Sequence, residues 1–355
     1  MALCEKLVKP QSLKAFCVKA MKQAGMTEAD AGITADVLVT TDTWGVFTHG
    51  TKQVRGLLQN FRDKRMDLHA KHKVMGEGPG WGLIDGHHSM PMVTSVAAMQ
   101  MAIAKARNTG SAFITVRNSG HYGGAGYYAH LAAEQDMLGL SFTNVDPGVT
   151  VPGARVPLLG TNPLAYAVPA GTEPPIMLDI ATSVVAASKI YAARDVGKPI
   201  PEGWIINKDG LPTTDATGYP GVGALMPMAG HKGYGIAFLI EVITGVLAGG
   251  AFGPEVVSWM MDSPIAVNQS HAFMAVDISK FQPIQQFKER MDILIRYIRN
   301  APKALGSDRI YLPGEIEWEA RQRALREGMM LPDHVMVRLK GLAQDCGLDI
   351  NEIYE

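Results

Sequence analysis

Asn118-Ser119-Gly120-His121-Tyr122-Gly123-Gly124-Ala125-Gly126 sets one histidine among four glycines. Before it, Ala112 to Val116 is an apolar run of strand length; after it, Ala125 to Asp136 carries apolar residues at helical spacing. The nine residues therefore lie where a strand hands over to a helix. Glycine lets the backbone turn sharply and approach a ligand closely, and histidine titrates near neutral pH. Taken alone, the stretch reads equally as a site and as a Gly-rich turn with a surface histidine. The alternation continues outward. Met92 to Thr109 reads as a helix stopped by Gly110, Leu140 to Asn144 as a strand, and Leu164 to Val168 and Ile176 to Ile180 as buried strands. Val74 to Asp85 reads as short strands and Ile205 to Gly210 as a hairpin, so the layer is α/β with a mixed β-sheet.

Both chain ends read as helical. Leu13, Phe16, Ala20 and Met21 follow Pro10, Thr27 to Asp30 resembles a capping box, and Val54, Leu57, Leu58 and Phe61 repeat at helical spacing after Gly50. A long apolar helix starts near Gly230 and a strand spans Ala272 to Asp277. Helices then occupy Ile284 to Asn300, Glu315 to Glu327 and Asp333 to Cys346. The expected organisation is a helical domain built from both chain ends, residues 1–72 plus 278–355, flanking an α/β domain over residues 73–277.

The 355 residues suffice for a large core; 47% are apolar and 19% charged, an ordinary globular balance. A formal net charge of -1 gives no general attraction to nucleic acid or an anionic membrane. Cys4, Cys17 and Cys346 are odd in number and widely spaced, which fits a reducing cytoplasm better than a disulfide framework. Met1 to Gln11 lacks the apolar run of a signal peptide, and Glu241 sits in the middle of Gly233 to Phe252, which argues for a buried helix and against a membrane span.

The G-x-G-x-x-G dinucleotide fingerprint, the Walker loop and the G-x-S-x-G elbow are missing. His69 with His72 and the adjacent His87 and His88 raise metal binding, but no third ligand joins them at convincing spacing, so no metal is expected. Three other stretches gather Gly, Thr and ionisable residues at element ends: Gly160 to Pro163, Asp179 to Ser183 and Gly230 to Gly235. Asp179 follows a buried strand, with Thr182 and Ser183 able to cap a following helix. Lys232 opens a helix, where free N–H groups and a cation favour an anion.

Trp44 to Gly50, Asn118 to His121, Gly160 to Leu164, Asp179 to Ser183, Ile200 to Trp204, Thr213 to Asp215, Gly230 to Gly235 and Leu312 to Glu315 follow one another in an order that resembles the malate/L-lactate dehydrogenase family. The likeness spans nearly the whole chain. It implies a non-Rossmann NAD(P)-binding fold, which accounts for the missing fingerprint. By that resemblance His49 and His121 are the catalytic candidates, either of which could exchange the proton that accompanies hydride transfer. Thr48, Lys52, Gln53, Arg55 and Asn118 would line the substrate. Thr161, Asn162, Asp179, Ile180, Ala181, Thr182, Lys232, Gly233, Gly314 and Glu315 would line the cofactor.

Departures from the family pattern bear on the substrate. Trp44 and Thr48 stand where arginine and serine are usual, and Gln53 stands where an arginine would anchor a carboxylate. Glutamine cannot form the bidentate ion pair, so Lys52 or Arg55 is expected to take the anion. The resulting expectation is a cytoplasmic oxidoreductase using NAD or NADP, with NADH the first choice. It would act on a small 2-oxo/2-hydroxy acid or related imine- or amide-bearing acid, and would form a homodimer. The rival readings are a metal-dependent hydrolase and a non-catalytic ligand-binding relative.

Overall fold

The computed structural model describes residues 7–260 and 263–355, so Cys4 and the first residues of the N-terminal stretch lie outside the described residues. Three helices lead. α1 (Pro10–Gln23) buries Leu13, Phe16, Cys17, Ala20 and Met21 on one stripe. α2 (Glu28–Thr43) begins where Thr27 Oγ1 accepts the Asp30 N–H at 3.1 Å, the cap its sequence predicts. α3 (Val54–Arg62) follows a 3-10 turn over Thr51–Gln53.

The α/β layer then begins with β1 (Lys73–Gly78), β2 (Trp81–Asp85), α4 (Pro91–Thr109) and β3 (Ser111–Ser119). α4 ends on Gly110 at φ 85°, the left-handed cap that glycine accepts without strain. α5 (Ala125–Ala133), β4 (Met137–Thr143), β5 (Leu164–Val168) and β6 (Ile176–Ile180) follow, then α6 (Ala187–Asp195). β7 (Ile205–Ile206), β8 (Pro212–Thr213) and β9 (Ala224–Leu225) are short. α7 (His231–Glu241) runs into a π-helical turn over Val242–Val246, and β10 (Gln269–Asp277) returns to the layer. α8 (Ile284–Arg299), α9 (Glu315–Glu327) and α10 (Asp333–Cys346) complete the chain.

The main sheet has the order β1-β2-β3-β10-β4-β5-β6. β2 and β3, joined through α4, are its parallel pair; the other neighbours are antiparallel, so the sheet is mixed as the sequence predicts. The hairpin near Ile205 does not extend this sheet. It pairs β8-β7-β9 in a separate three-stranded sheet over a small core of Val149, Ile190, Ile205, Tyr219 and Leu225. No helix follows Thr182 directly either: α6 starts five residues later, and Thr182 Oγ1 instead donates to the Thr161 carbonyl at 2.9 Å.

One apolar core joins the chain ends to the main sheet, running from Phe16, Leu38 and Leu57 through Met92 and Met99 to Ile114 and Phe273, with Leu339 and Leu342 from α10. Each such buried side chain contributes about 1.5–3 kcal/mol relative to an exposed one. α8 leans on the central layer: its buried Asp292 accepts the N–H groups of Gly171, Thr172 and Glu173, which hold the carboxyl down at about 2. Among the described residues no helix is long and apolar enough to cross a membrane.

Candidate active site

The turn that ends α2 is closed by a carboxylate. Asp42 is buried, and its Oδ2 accepts both Thr51 N–H at 3.0 Å and Thr51 Oγ1–H at 2.6 Å. Gly50 passes so close beneath that an added Cβ would overlap the Asp42 carboxyl. The turn between these anchors presents Thr48 and His49, with Thr48 Oγ1 2.8 Å from His49 Nδ1 and Gln53 Nε2 donating to the Thr48 carbonyl. Gln53 is thus tied to its own turn.

β3 delivers the second histidine. Asn118 adopts φ 50°, and Gly120 packs where an added Cβ would stand 3.0 Å from Val267 Cγ2. Gly123, at φ 83°, runs past the His49 carbonyl. These constraints stack the His49 and His121 rings at 5.4 Å between centroids and 27° between planes. Trp259 packs on His121 at 4.5 Å. The Gly123 N–H donates to His121 Nδ1 at 3.3 Å, which puts the neutral ring's proton on Nε2. Burial, with Lys52 adding to it, lowers His49 to about 4. Burial, then the charges of His49, His271 and Lys52, lowers His121 well below its ordinary value. Both imidazoles are neutral at pH 7.

The far end of the same Gly-rich turn reaches Asp179 on β6. Its Oδ2 accepts the Gly126 N–H at 2.7 Å at the start of α5. Asp179 is exposed at the sheet edge, and the neighbouring protein, with the charge of Glu317 adding to it, pushes its carboxyl above the usual carboxylate range. Gly314, at φ 84°, lies against β6, where an added Cβ would stand 2.7 Å from the Met177 carbonyl. Lys232 and Gly233 open α7; Gly233 closes on the Met228 carbonyl with no room for a side chain, and Lys232 is exposed without an ion pair among the described residues. A glycine cradle and a free cation at a helix start suit a phosphate-bearing cofactor.

A sequence profile of the malate/L-lactate dehydrogenase family matches residues 8–340. The malate dehydrogenase of Pyrococcus horikoshii is 37% identical over 344 residues, 95% of this chain and 94% of that one, and its solved structure superposes with a TM-score of 0.87. The chain belongs to this family. The solved sulfolactate dehydrogenase of Methanocaldococcus jannaschii, 33% identical, covers 98% of this chain and 100% of its own with a TM-score of 0.90. The NAD(+)-dependent ureidoglycolate dehydrogenase of Escherichia coli K12 is 30% identical over 313 residues, 88% of this chain and 89% of its own. The enzyme is accordingly a nicotinamide-dependent dehydrogenase acting at the CH–OH group of hydroxy acids.

Thr48, His49, Lys52, Gln53 and His121 converge in this enzyme, whereas other candidates are engaged elsewhere. Arg55 is turned away, its Nε and Nη2 bonded to Asp345 at 2.8 and 3.2 Å. The Asn118 amide donates to Asp85 at 2.9 Å. Asn162 is fully buried; Oδ1 accepts Val145 N–H and Nδ2 donates to Glu241 at 2.6 Å. Thr161 offers its carbonyl to Thr182, and Ile180 and Ala181 form the backbone between Asp179 and that contact. The Glu315 carboxylate accepts from Leu312 N–H and from Arg299 at 3.0 Å each, and pairs with Arg309 at 2.8 Å. Trp44 packs edge-on against Trp318 and His130, a joint between α2, α5 and α9. His69 and His72 lie beyond the end of α3, so they do not share a helix face; among the described residues no three His, Cys, Asp or Glu side chains form a metal cluster.

Sequence reasoning missed Asp42, which anchors the His49 turn, and Trp259, which packs on His121; neither stands in a motif or spacing that could have marked it.

Proposed function

We propose that the enzyme interconverts a small 2-oxo acid, or a related imine- or amide-bearing acid, with its reduced partner, using NADH ahead of NADPH. The observation carrying this reading is the stacked pair of neutral histidines beside Lys52, which makes no ion pair among the described residues. The bound nicotinamide supplies or accepts the hydride at the reacting carbon. His121, its Nδ1 occupied by Gly123, directs Nε2–H at the substrate oxygen and polarises the carbonyl as a neutral donor. His49 is the acid/base. With Nδ1–H donated to Thr48 Oγ1, its Nε2 lone pair is free to take the hydroxyl proton in oxidation; in reduction the imidazolium returns that proton to the nascent alkoxide. Burial is the main cause of the lowered His49, and an anionic substrate beside Lys52 offsets the smaller part that comes from the lysine's charge, which helps load the proton.

Asp179, Lys232, Gly233 and Gly314 make the proposed cofactor wall, with Thr161, Asn162, Ile180, Ala181 and Glu315 contributing backbone or support. The proposed domain division is residues 1–72 plus 278–355 against 73–277, and the enzyme works in the cytoplasm. The apolar stretch from Gly233 to Phe252 is not the fully buried helix its sequence suggests: Phe238, Leu239, Val246 and Leu247 leave an apolar strip exposed on α7 and the turn after it, which supports a homodimer. An oxidation screen of NADH and NADPH over oxaloacetate, pyruvate, sulfopyruvate, oxalurate, diketogulonate and piperideine-carboxylate tests the reading, and sedimentation equilibrium on the same preparation reads the dimer. Turnover of at least one 2-oxo acid or imine is expected; none with either cofactor refutes it.

A further inference from the structure

The dehydrogenase reading, on which this inference rests, leaves open what seats the substrate's acid groups. Lys52 lies three residues beyond His49, half-buried, with no ion pair or hydrogen bond among the described residues. Asp42, the carboxylate nearest it in sequence, is bound to Thr51. α10 packs against this turn and carries His334 and Arg338 on one face, four residues apart. Arg338 Nη2 stands 3.5 Å, and Trp259 Cζ3 3.2 Å, from the point a Cβ would occupy on Gly56. The same Trp259 ring rests on His121, so Gly56 is the gap that brings Arg338 toward the histidines.

Burial and then the charge of Arg338 lower Lys52, while Asp42 raises it; burial and then the charge of Lys52 lower His334, which therefore serves as a neutral hydrogen-bond donor and not as a cation. Asp345, the carboxylate facing Arg338, is already bonded to Arg55 and pairs with Arg62 at 3.5 Å; Asp333 faces His334 only from the start of its own helix. Asp42 offsets part of the Lys52 charge from its buried place behind Thr51, but neither Lys52 nor Arg338 makes an ion pair among the described residues, and two such cations beside an acid/base pair form a seat for an anion.

We infer that Arg338 is a specificity-determining residue: Lys52 takes the carboxylate next to the reacting carbon, and Arg338 with His334 seats a second anionic group, carboxylate or sulfonate, at the far end of the substrate. Arginine's planar fork suits either. The order His121, Trp259, Arg338 sets the length of the molecule that fits, and 2-oxo acids with two anionic groups are favoured over monocarboxylates.

The test compares wild type, Arg338→Gln and Arg338→Lys in kcat and KM for oxaloacetate and pyruvate, together with calorimetric titration of malonate and of NADPH. Arg338 is exposed and makes no ion pair among the described residues, so a melting curve suffices to check the fold. In Arg338→Gln the ratio of kcat/KM for oxaloacetate to that for pyruvate falls about tenfold, mainly through KM, and malonate affinity falls by a similar factor. Arg338→Lys recovers part of both. An unchanged ratio, or an unchanged malonate affinity, overturns the inference. Weakened NADPH binding with malonate untouched assigns the arginine to a cofactor phosphate and overturns it as well. If wild type reduces no 2-oxo acid, the dehydrogenase reading fails on its own, and the malonate titration still decides the anion seat.

Discussion

The carboxyl of Asp42 is the residue on which the His49 turn depends, and it is held in an unusual state. Burial raises it to about 7 despite two hydrogen bonds from Thr51 and the nearby charge of Lys52, and its Oδ1 has no partner among the described residues. A carboxyl whose folded pKa is raised contributes stability that is full below its unfolded value near 4 and is lost as pH rises through 7. Asp42→Asn keeps an acceptor for Thr51 and removes the titration. The variant is therefore expected to gain on wild type by on the order of 3 kcal/mol between pH 4.5 and 8. Urea unfolding at both pH values checks this; a difference that does not change with pH contradicts it. His49 and His121 behave oppositely, since lowered histidines withdraw stability as pH falls below about 6.5.

At the scale of elements, the turn between α2 and α3 works because residue 50 has no side chain. Its φ of -94° is ordinary, so the requirement is space and not backbone strain. Gly50→Ala is expected to cost about 1–3 kcal/mol by overpacking against Asp42, and to lower kcat by shifting His49. Gly32→Ala, mid-α2 with nothing near the added methyl, is expected to stabilise by about 0.5–1 kcal/mol. Denaturant unfolding and steady-state rates read both; equal effects of the two substitutions would contradict the packing argument. The elements themselves were largely legible. β5 and β6 fall on the apolar runs 164–168 and 176–180, and α4, α8, α9 and α10 fall on their periodic stretches, because local patterning suffices there. Long-range placement was not. Nothing local places β10 between β3 and β4, turns Arg55 toward Asp345, or sets α10 beside Lys52. Thr182 looked like a helix cap because the side chains that cap helices also bond distant carbonyls, here that of Thr161.

At the scale of the molecule, the two candidate catalytic side chains come from different parts of the chain: His49 from the leading helices, His121 from the sheet. One shared core presses these parts together, and the missing side chains at Gly50 and Gly123 let their backbones meet. The central claim is that this junction divides the work, His49 exchanging the proton and His121 donating a hydrogen bond as a neutral ring. The most direct test is the pH dependence of kcat/KM for hydroxy-acid oxidation in wild type, His49→Asn and His121→Asn, with NADH affinity measured beside it. Wild type is expected to stay active well below pH 6.5 and to lose activity as pH falls toward the lowered pKa of His49. His49→Asn is expected to lose about 10²–10⁴-fold together with that acid limb, while His121→Asn loses rate but keeps the limb. If His49→Asn retained both the rate and the limb, or the limb vanished with His121 alone, the account would be contradicted.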